Sequence, residues 1–265
     1  MPNITVQLEH VFKSYDGAVQ ALNGLSLTMF DNEILGLIGP NGAGKTTSIK
    51  ILVGLLKADA GKVKVLGQDI EADPISYKAQ VGYMPEAPAL PDYLTTSEFL
   101  GYVARIRNVP KEQIDGRVQG FLKELDLHAK SDELISTLSK GMRAKLAFAA
   151  ATIHDPKLLI LDEPLIGIDP AGQHLLKERI TSIGQKGGSV LVSTHQLDTA
   201  ERLCTKVAII HHGRNVATGD LAGLRQQAHA GAGQSLEEIF LKLTEEAGQP
   251  EPEIPRRRGF FSRRG

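Results

Sequence analysis

The chain has 265 residues, 42% of them hydrophobic, and a formal net charge of −1. This size and hydrophobic content suffice for one α/β domain with a sizeable core and an inserted lobe. The near-neutral charge and the absence of Trp argue against nucleic acid as a partner. The single Cys204 excludes a disulfide within the chain and indicates a core residue in a reducing compartment. No run approaches the ~18 apolar residues that span a bilayer, so we expect neither a transmembrane segment nor a secretory leader.

The first elements along the chain are predicted strands. Alternating apolar positions indicate strands near residues 4–9 and 25–30, and a hairpin strand is predicted at about residues 61–67. We expect these strands to form an antiparallel sheet beside the core.

A glycine-rich segment, GPNGAGKTT, fits the pattern G-x-x-x-x-G-K-[ST] and follows the apolar run 34–38. Its residues are Gly39, Pro40, Asn41, Gly42, Ala43, Gly44, Lys45, Thr46 and Thr47. The glycines allow a tight turn whose backbone N–H groups face a polyphosphate, at the positive end of the following helix. We expect Lys45 on the β- and γ-phosphates and the Thr46 hydroxyl in a Mg²⁺ shell. The alternative is a glycine-rich turn without a ligand, but the strand before the segment and the helix after it favour a site for ATP or GTP.

The middle of the chain changes to a helical pattern. Between about residues 87 and 154, the stretches 97–107, 113–126 and 141–153 carry apolar residues at helical spacing. We predict that this region is an inserted α-helical lobe.

A second phosphate-site element reads LLILDEP and occupies residues 158–164. Four apolar residues followed by two carboxylates are typical of a buried parallel strand that ends at the ligand-binding edge of an α/β sheet. We expect Asp162 in the Mg²⁺ shell opposite Thr46, and Glu163 in position to polarise the attacking water. The alternative is a strand followed by a solvated acidic turn, although adjacent buried carboxylates rarely lack a partner cation.

Further core strands are predicted near residues 189 and 207, separated by helical stretches. The predicted fold class is therefore α/β, with a P-loop ATPase core containing a mostly parallel sheet, an antiparallel β subdomain and the inserted α-helical lobe. His195 follows the strand near residue 189, where a lone histidine is more often structural than functional.

Together with a segment reading TLSKGMR, these motifs resemble the nucleotide-binding domain of ATP-binding cassette (ABC) transporters over about residues 4–246. That segment is similar to the signature loop of the family, LSGGQ, from which Lys140 and Met142 depart. The resemblance implies that Ser139 and Gly141 cap the γ-phosphate of an ATP held by the other subunit. By itself, the segment is also compatible with an ordinary helix N-cap.

The resemblance implies roles for four other residues. His195 matches the switch histidine that contacts the γ-phosphate, and Asp169 matches the D-loop aspartate, whose surroundings couple the two sites of a dimer. Tyr15 stands where the family places an aromatic ring under the adenine, and the alternative is a plain strand-end tyrosine. Glu86 stands where the Q-loop usually has glutamine, so it can reach Mg²⁺ through water but lacks the amide donor.

The resemblance implies an ATP-binding and ATP-hydrolysing subunit, an ATPase using ATP and Mg²⁺, which powers a separate transmembrane permease subunit. Two copies are expected to form a homodimer with ATP held between them. Glu86, the LSKGM variant and the late segment SLEEIFLKLTEE favour export over import. We expect the subunit at the cytoplasmic face of the membrane, held there peripherally by the permease.

Two other functions remain open at this point. A soluble ABC ATPase of translation or chromosome maintenance typically joins two cassettes or inserts long coiled coils, and neither feature is found in this sequence. A regulatory module that binds ATP without turnover does not require the set Lys45, Asp162, Glu163 and His195.

The sequence changes character after the predicted ATPase domain, which we place at residues 1–246. Residues 247–265 are rich in proline and charge, and arginines surround Phe260 and Phe261. One interpretation is a disordered, solvated tail. The other is contact between this basic tail and anionic lipid.

Overall fold

The structure is a computed structural model that describes residues 2–17, 19–229, 231 and 233–246. The predicted tail, residues 247–265, lies outside the described residues. The strands are β1 (Ile4–Tyr15), β2 (Val19–Phe30), β3 (Ile34–Ile38), β4 (Ala60–Val65), β5 (Gln68–Asp69), β6 (Val81–Met84), β7 (Leu158–Asp162), β8 (Ser189–Thr194), β9 (Lys206–His211) and β10 (Arg214–Gly219). The α-helices are α1 (Lys45–Leu52), α2 (Thr96–Ile106), α3 (Lys111–Glu124), α4 (Lys140–Thr152), α5 (Pro170–Gln185), α6 (Leu197–Leu203), α7 (Leu221–Gln227) and α8 (Leu236–Glu246).

The smaller sheet is antiparallel throughout and has the strand order β2-β1-β4-β5. The sequence predicts this sheet, but it places β1 and β2 at residues 4–9 and 25–30, whereas each strand is 12 residues long. The pairing register of β1 with β2 shifts between Leu8 and Val11, and again between Lys13 and Ser14. Such irregularities interrupt the alternation on which strand prediction depends, so the pattern reveals only part of each strand.

The larger sheet has the order β10-β9-β3-β8-β7-β6, and all neighbours are parallel except the edge pair β9 and β10. Every residue of β3, β7 and β8 is buried. Strands covered on both faces have continuous apolar sequences, which explains why the runs 34–38 and 158–161 are informative. Because these three strands are parallel neighbours, their carboxyl ends lie at the same edge of the sheet. The phosphate loop, Glu163 and His195 follow these strand ends and therefore lie at that edge.

The predicted helical lobe contains α2, α3 and α4, whose bounds lie within two residues of the predicted stretches. Helix α2 begins with a capping box, in which the Thr95 hydroxyl accepts from the Glu98 amide and the Glu98 carboxylate accepts from the Thr95 amide. Leu100, Leu122 and Phe148 from the three helices belong to one buried cluster with residues of the larger sheet. The division into a domain at residues 1–246 and a lobe at 87–154 stays a prediction.

Cys204 follows α6 directly and packs against β3, because a Cβ added to Gly36 would lie only 2.8 Å from the Cys204 Sγ. Burial raises the pKa of the Cys204 thiol to about 12. The thiol therefore stays protonated at neutral pH, in keeping with the core position predicted for it. Across the described ranges, no helix is long and apolar enough to cross a membrane.

Candidate functional site

The phosphate loop joins β3 to α1 and requires glycine at two points. At Gly39 an added Cβ would lie 2.2 Å from the carbonyl oxygen of Ile210, so the end of β9 leaves no room for a side chain. Gly44 has φ +108°, and an added Cβ would lie 2.6 Å from the carbonyl oxygen of Ala21. Both glycines therefore allow the loop to approach neighbouring backbone closely while it turns into the helix.

Lys45 is nearly buried, with 7% of its surface exposed, at the first turn of α1. Its Nζ donates to the carbonyl oxygens of Gly39 at 2.7 Å and Pro40 at 3.1 Å, across the loop. Burial lowers the pKa of Lys45, and nearby carboxylates, chiefly that of Glu163, oppose this shift. The ammonium is thus held at the phosphate loop by two carbonyls, which an incoming phosphate oxygen can replace as acceptors.

Asp162, at the end of β7, is 1% exposed and accepts two hydrogen bonds through Oδ1. One comes from the Ser193 hydroxyl on the neighbouring strand β8, and the other from the Thr46 hydroxyl at 3.4 Å. A hydroxyl and a carboxylate are hard oxygen donors of the kind that Mg²⁺ prefers. Among the described residues, no group of three or more His, Cys, Asp or Glu is placed to hold a metal. Thr46 and Asp162 are the oxygen-bearing side chains that meet at this edge of the sheet.

Glu163 combines deep burial with an uncommon backbone conformation. It is 8% exposed and has φ +50°, a left-handed conformation that is costly for a residue with a side chain. Its amide donates to the Ser193 carbonyl at 3.1 Å and lies 3.2 Å from the Ser193 hydroxyl. One carboxylate oxygen lies 2.8 Å from Nδ1 of His195, whose side chain is 44% exposed. The contacts with Ser193 fix the backbone of Glu163, and the contact with His195 orients its carboxylate.

A cleft of about 600 Å³ brings most of the predicted site residues together. Its lining includes the loop residues 41–47 together with Tyr15, Glu86, Glu163 and His195. The Tyr15 hydroxyl lies 3.4 Å from the Thr47 hydroxyl, and 39% of the tyrosine is exposed. An aromatic ring therefore stands beside the phosphate loop with its surface available for stacking.

Ser139, Gly141 and Asp169 are not among the described residues that line this cleft, and they lie at the starts of α4 and α5. The Ser139 hydroxyl accepts from the Met142 amide at 3.2 Å and caps α4, so the N-cap interpretation of this segment is correct as a structural description. Asp169 caps α5. A Cβ added to Gly141 would lie 3.7 Å from Asp169 Oδ1, which shows that the two helix starts are neighbours.

Lys140, one of the two departures from the family loop, lies against the segment that precedes Asp169. A Cβ added to Gly167 would lie 2.7 Å from Lys140 Cε, so the lysine stem passes directly over that glycine. The substitution therefore adds a contact between the starts of α4 and α5.

Sequence comparison identifies the family. Residues 22–166 match the model of the ABC transporter family. The chain is 38% identical over 225 residues to the ABC-type transporter ATP-binding protein EcsA of Bacillus subtilis strain 168, covering 85% of this chain and 91% of that protein. The chain belongs to the ABC transporter family. Within it, the chain is an ATP-binding subunit and an ATPase, as the motifs predict.

Other ABC relatives agree with this assignment. The chain is 37% identical over 219 residues to the Nod factor export ATP-binding protein I of Paraburkholderia xenovorans LB400, covering 83% of this chain and 72% of that protein. A solved structure described as the ATP-binding subunit of an ABC transporter is 34% identical, with a TM-score of 0.85 over 91% of this chain and 99% of that one. A dimeric ATP-binding cassette with bound ADP and Pi is 21% identical, with a TM-score of 0.76 over 82% of this chain and 99% of that one, and shows the fold alone. The predicted fold class is confirmed.

Sequence reasoning missed several residues of the ABC site. Ser193 contacts both Asp162 and Glu163, and its only signal is its position in a strand that pairs with β7. The start of β2 also lines the cleft, through Val19, Gln20 and Ala21, which belong to no phosphate-binding motif.

Proposed function

We propose that this subunit hydrolyses MgATP in its cleft, that a second copy completes each site, and that the cycle drives a separate membrane permease that exports its cargo. One observation carries the proposal. A nearly buried carboxylate, Glu163, lies beside His195 in the cleft that also contains Lys45 and the phosphate loop.

The phosphate loop and Lys45 bind the triphosphate. Backbone N–H groups at the start of α1 face the anion, and the Lys45 ammonium exchanges its carbonyl acceptors for phosphate oxygens. Thr46 and Asp162 would hold Mg²⁺, with Glu86 acting through water. When bound, the ion would supply positive charge beside the β- and γ-phosphates.

Glu163 acts on the attacking water. Its carboxylate orients the water and accepts a proton as the bond from the water oxygen to the γ-phosphorus forms. The bond from that phosphorus to the β–γ bridging oxygen breaks, so ADP leaves with the electron pair and phosphate is released. His195 fixes the direction of this carboxylate through the contact at 2.8 Å, and its side chain is 44% exposed. We infer that the exposed part of the ring contacts the γ-phosphate. The Tyr15 ring stacks on the adenine at the other end of the cleft.

The second copy contributes the signature loop. Ser139 and Gly141 lie outside the cleft of their own chain, at the start of α4, and Ser139 is exposed. We therefore infer that they cap the γ-phosphate bound by the partner copy in a homodimer. Asp169 lies next to Gly141, so its loop moves with the signature loop when the dimer closes.

The helical lobe offers a surface for the permease. Tyr102 and Ile106 are 55% and 57% exposed and lie one turn apart on α2, and Tyr93, just before this helix, is 80% exposed. The same stretch of chain leads back to Glu86 in the ATP cleft, which links this surface to the nucleotide. Relatives named for export, such as the Nod factor export ATP-binding protein, favour export.

This surface can be tested by co-purification from detergent-solubilised membranes. The wild-type subunit should retain a membrane polypeptide, and the double variant Tyr102→Ser, Ile106→Ser should lose it while keeping ATPase activity in solution. Leu241→Ser on α8, where the leucine is 51% exposed, is the matched control and should retain the polypeptide. Equal retention by both variants would place the permease contact elsewhere.

Through the permease, the subunit would lie peripherally at the cytoplasmic face of the membrane. Contact of the 247–265 tail with anionic lipid stays a prediction. No observation favours the alternative role in translation or chromosome maintenance.

A further inference from the structure

The hairpin of β9 and β10 touches the phosphate loop at its tip. The strands are joined by His212 and Gly213, with φ +46° and +71°, the signs that a type I′ turn requires. Backbone groups at the tip of such a hairpin commonly face water. Here the Gly213 amide donates to the Ala43 carbonyl at 2.9 Å, and the Gly213 carbonyl accepts from the Asn23 amide at 2.9 Å.

The tip has no space for a side chain at Gly213. An added Cβ would lie 2.7 Å from the Ala21 carbonyl oxygen and 2.8 Å from both the Asn23 nitrogen and the Leu22 Cα. All three atoms belong to the backbone of β2, which cannot move aside as a flexible side chain can. The turn is therefore wedged between the phosphate loop and the strand whose first residues line the cleft.

The bond to Ala43 has a direct consequence for phosphate binding. The C=O and N–H groups of one trans peptide unit point in opposite directions. When Gly213 holds the Ala43 carbonyl on one side, the N–H of Gly44 must point to the other side, and Gly44 lines the cleft. The turn thus sets the direction of one of the amides expected to face the nucleotide phosphates.

We propose that the His212–Gly213 turn is a positioning element of the ATP site, with Gly213 as the positioning residue. It fixes the peptide between Ala43 and Gly44 and ties the phosphate loop to β2. The inference rests on ATP binding in the cleft, as proposed above, and the turn acts on the nucleotide only through the phosphate loop.

The chain contains a matched control in the hairpin of β4 and β5. Leu66 and Gly67 join these strands with φ +52° and +77°, so the turn has the same backbone signs. A Cβ added to Gly67 meets nothing within 4 Å. Alanine at either glycine imposes the same backbone strain, but only at Gly213 does the added Cβ also meet the backbone of β2. We expect this clash to shift the turn and, through the bond from Gly213 to Ala43, the peptide between Ala43 and Gly44.

The experiment compares Gly213→Ala with Gly67→Ala, and Gly213→Asn with Gly67→Asn. The asparagine pair is included because asparagine tolerates a positive φ better than alanine does but still has a Cβ. Both Gly213 variants should weaken ATP binding by at least about tenfold and raise KM more than they lower kcat, whereas the Gly67 variants stay within about twofold of wild type. Titration calorimetry gives the affinities, and the melting temperatures of the nucleotide-free proteins show that each variant is folded at the temperature of the titration.

Three results would overturn the proposal: unchanged ATP affinity in both Gly213 variants, equal losses in the two matched pairs, or failure of both Gly213 variants to fold. The last result would show that the turn is required for folding and not specifically for ATP binding. Absence of ATP binding by the wild-type chain would instead contradict the proposed function, so the two failures are distinguishable.

Discussion

Replacement of Glu163 by Gln is expected to lower steady-state ATP turnover by about 10²- to 10⁴-fold while ATP still binds. The amide has nearly the shape of the carboxylate and still offers an oxygen to Nδ1 of His195, which lies 2.8 Å from the native carboxylate. It cannot accept the proton of the attacking water. Because ATP then persists between the two copies, a dimer should accumulate, and size-exclusion chromatography with MgATP should detect it.

The matched control for this variant is Glu178→Gln, which makes the same chemical change at an exposed site on α5. It should leave the rate of phosphate release unchanged. If Glu163→Gln turned over ATP at the wild-type rate, Glu163 would not be the residue that activates water.

Replacement of Lys45 by Ala should act at an earlier step and weaken ATP binding itself. The variant loses the cation at the phosphate loop and leaves the carbonyls of Gly39 and Pro40 without their donor. Hydrogen bonds to a charged group contribute about 1.5 to 3 kcal/mol each, so ATP should bind at least about tenfold more weakly. Equilibrium titration with ATP measures this loss.

Lys50→Ala is the control for this variant, because Lys50 lies in the last turn of the same helix and is exposed. Its ATP affinity should equal that of the wild type. An unchanged affinity in Lys45→Ala would count against the phosphate-loop assignment. The two lysine variants together separate an effect on the nucleotide from an effect on helix α1.

Local sequence predicts the centre of the fold well. The bounds of β3 agree with the apolar run 34–38, and β7 occupies the predicted run that ends at Asp162. Both strands are buried on both faces, so their residues are mostly apolar, and a glycine-rich or acidic segment marks the end of each. The long strands β1 and β2 are less predictable, because the shifts in their register disturb the alternation.

The parts of the site that depend on pairing between distant segments could not be predicted. Ser193 reaches Asp162 only because β8 lies beside β7, and a serine in an apolar run carries no signal of that contact. The backbone bonds of Gly213 depend on the packing of a hairpin against the phosphate loop, far away in the sequence. Short motifs reveal the groups that carry the chemistry, whereas the groups that orient them are visible only in the fold.

The signature segment, residues 137–143, shows a different limit of prediction from sequence, because its second role depends on another copy of the chain. The sequence offered two interpretations of Ser139, an N-cap and a phosphate contact, and the structure shows the first. The two are compatible, because a serine that caps an exposed helix start also presents that start to a second molecule. A single copy of the chain does not contain the second contact, so an experiment on pairs of copies is required.

The most direct test of the shared site mixes two inactive variants, Lys45→Ala and Ser139→Arg, and measures ATP turnover. In a mixed dimer, one site carries both changes, while the other combines an intact phosphate loop with an intact signature loop. Random pairing gives about half mixed dimers, so independent sites predict recovery to about a quarter of the wild-type rate. A parallel pull-down with two affinity tags verifies that mixed dimers form and bind ATP. Each variant alone should be inactive, and wild-type turnover by Ser139→Arg alone would contradict a site shared between two copies.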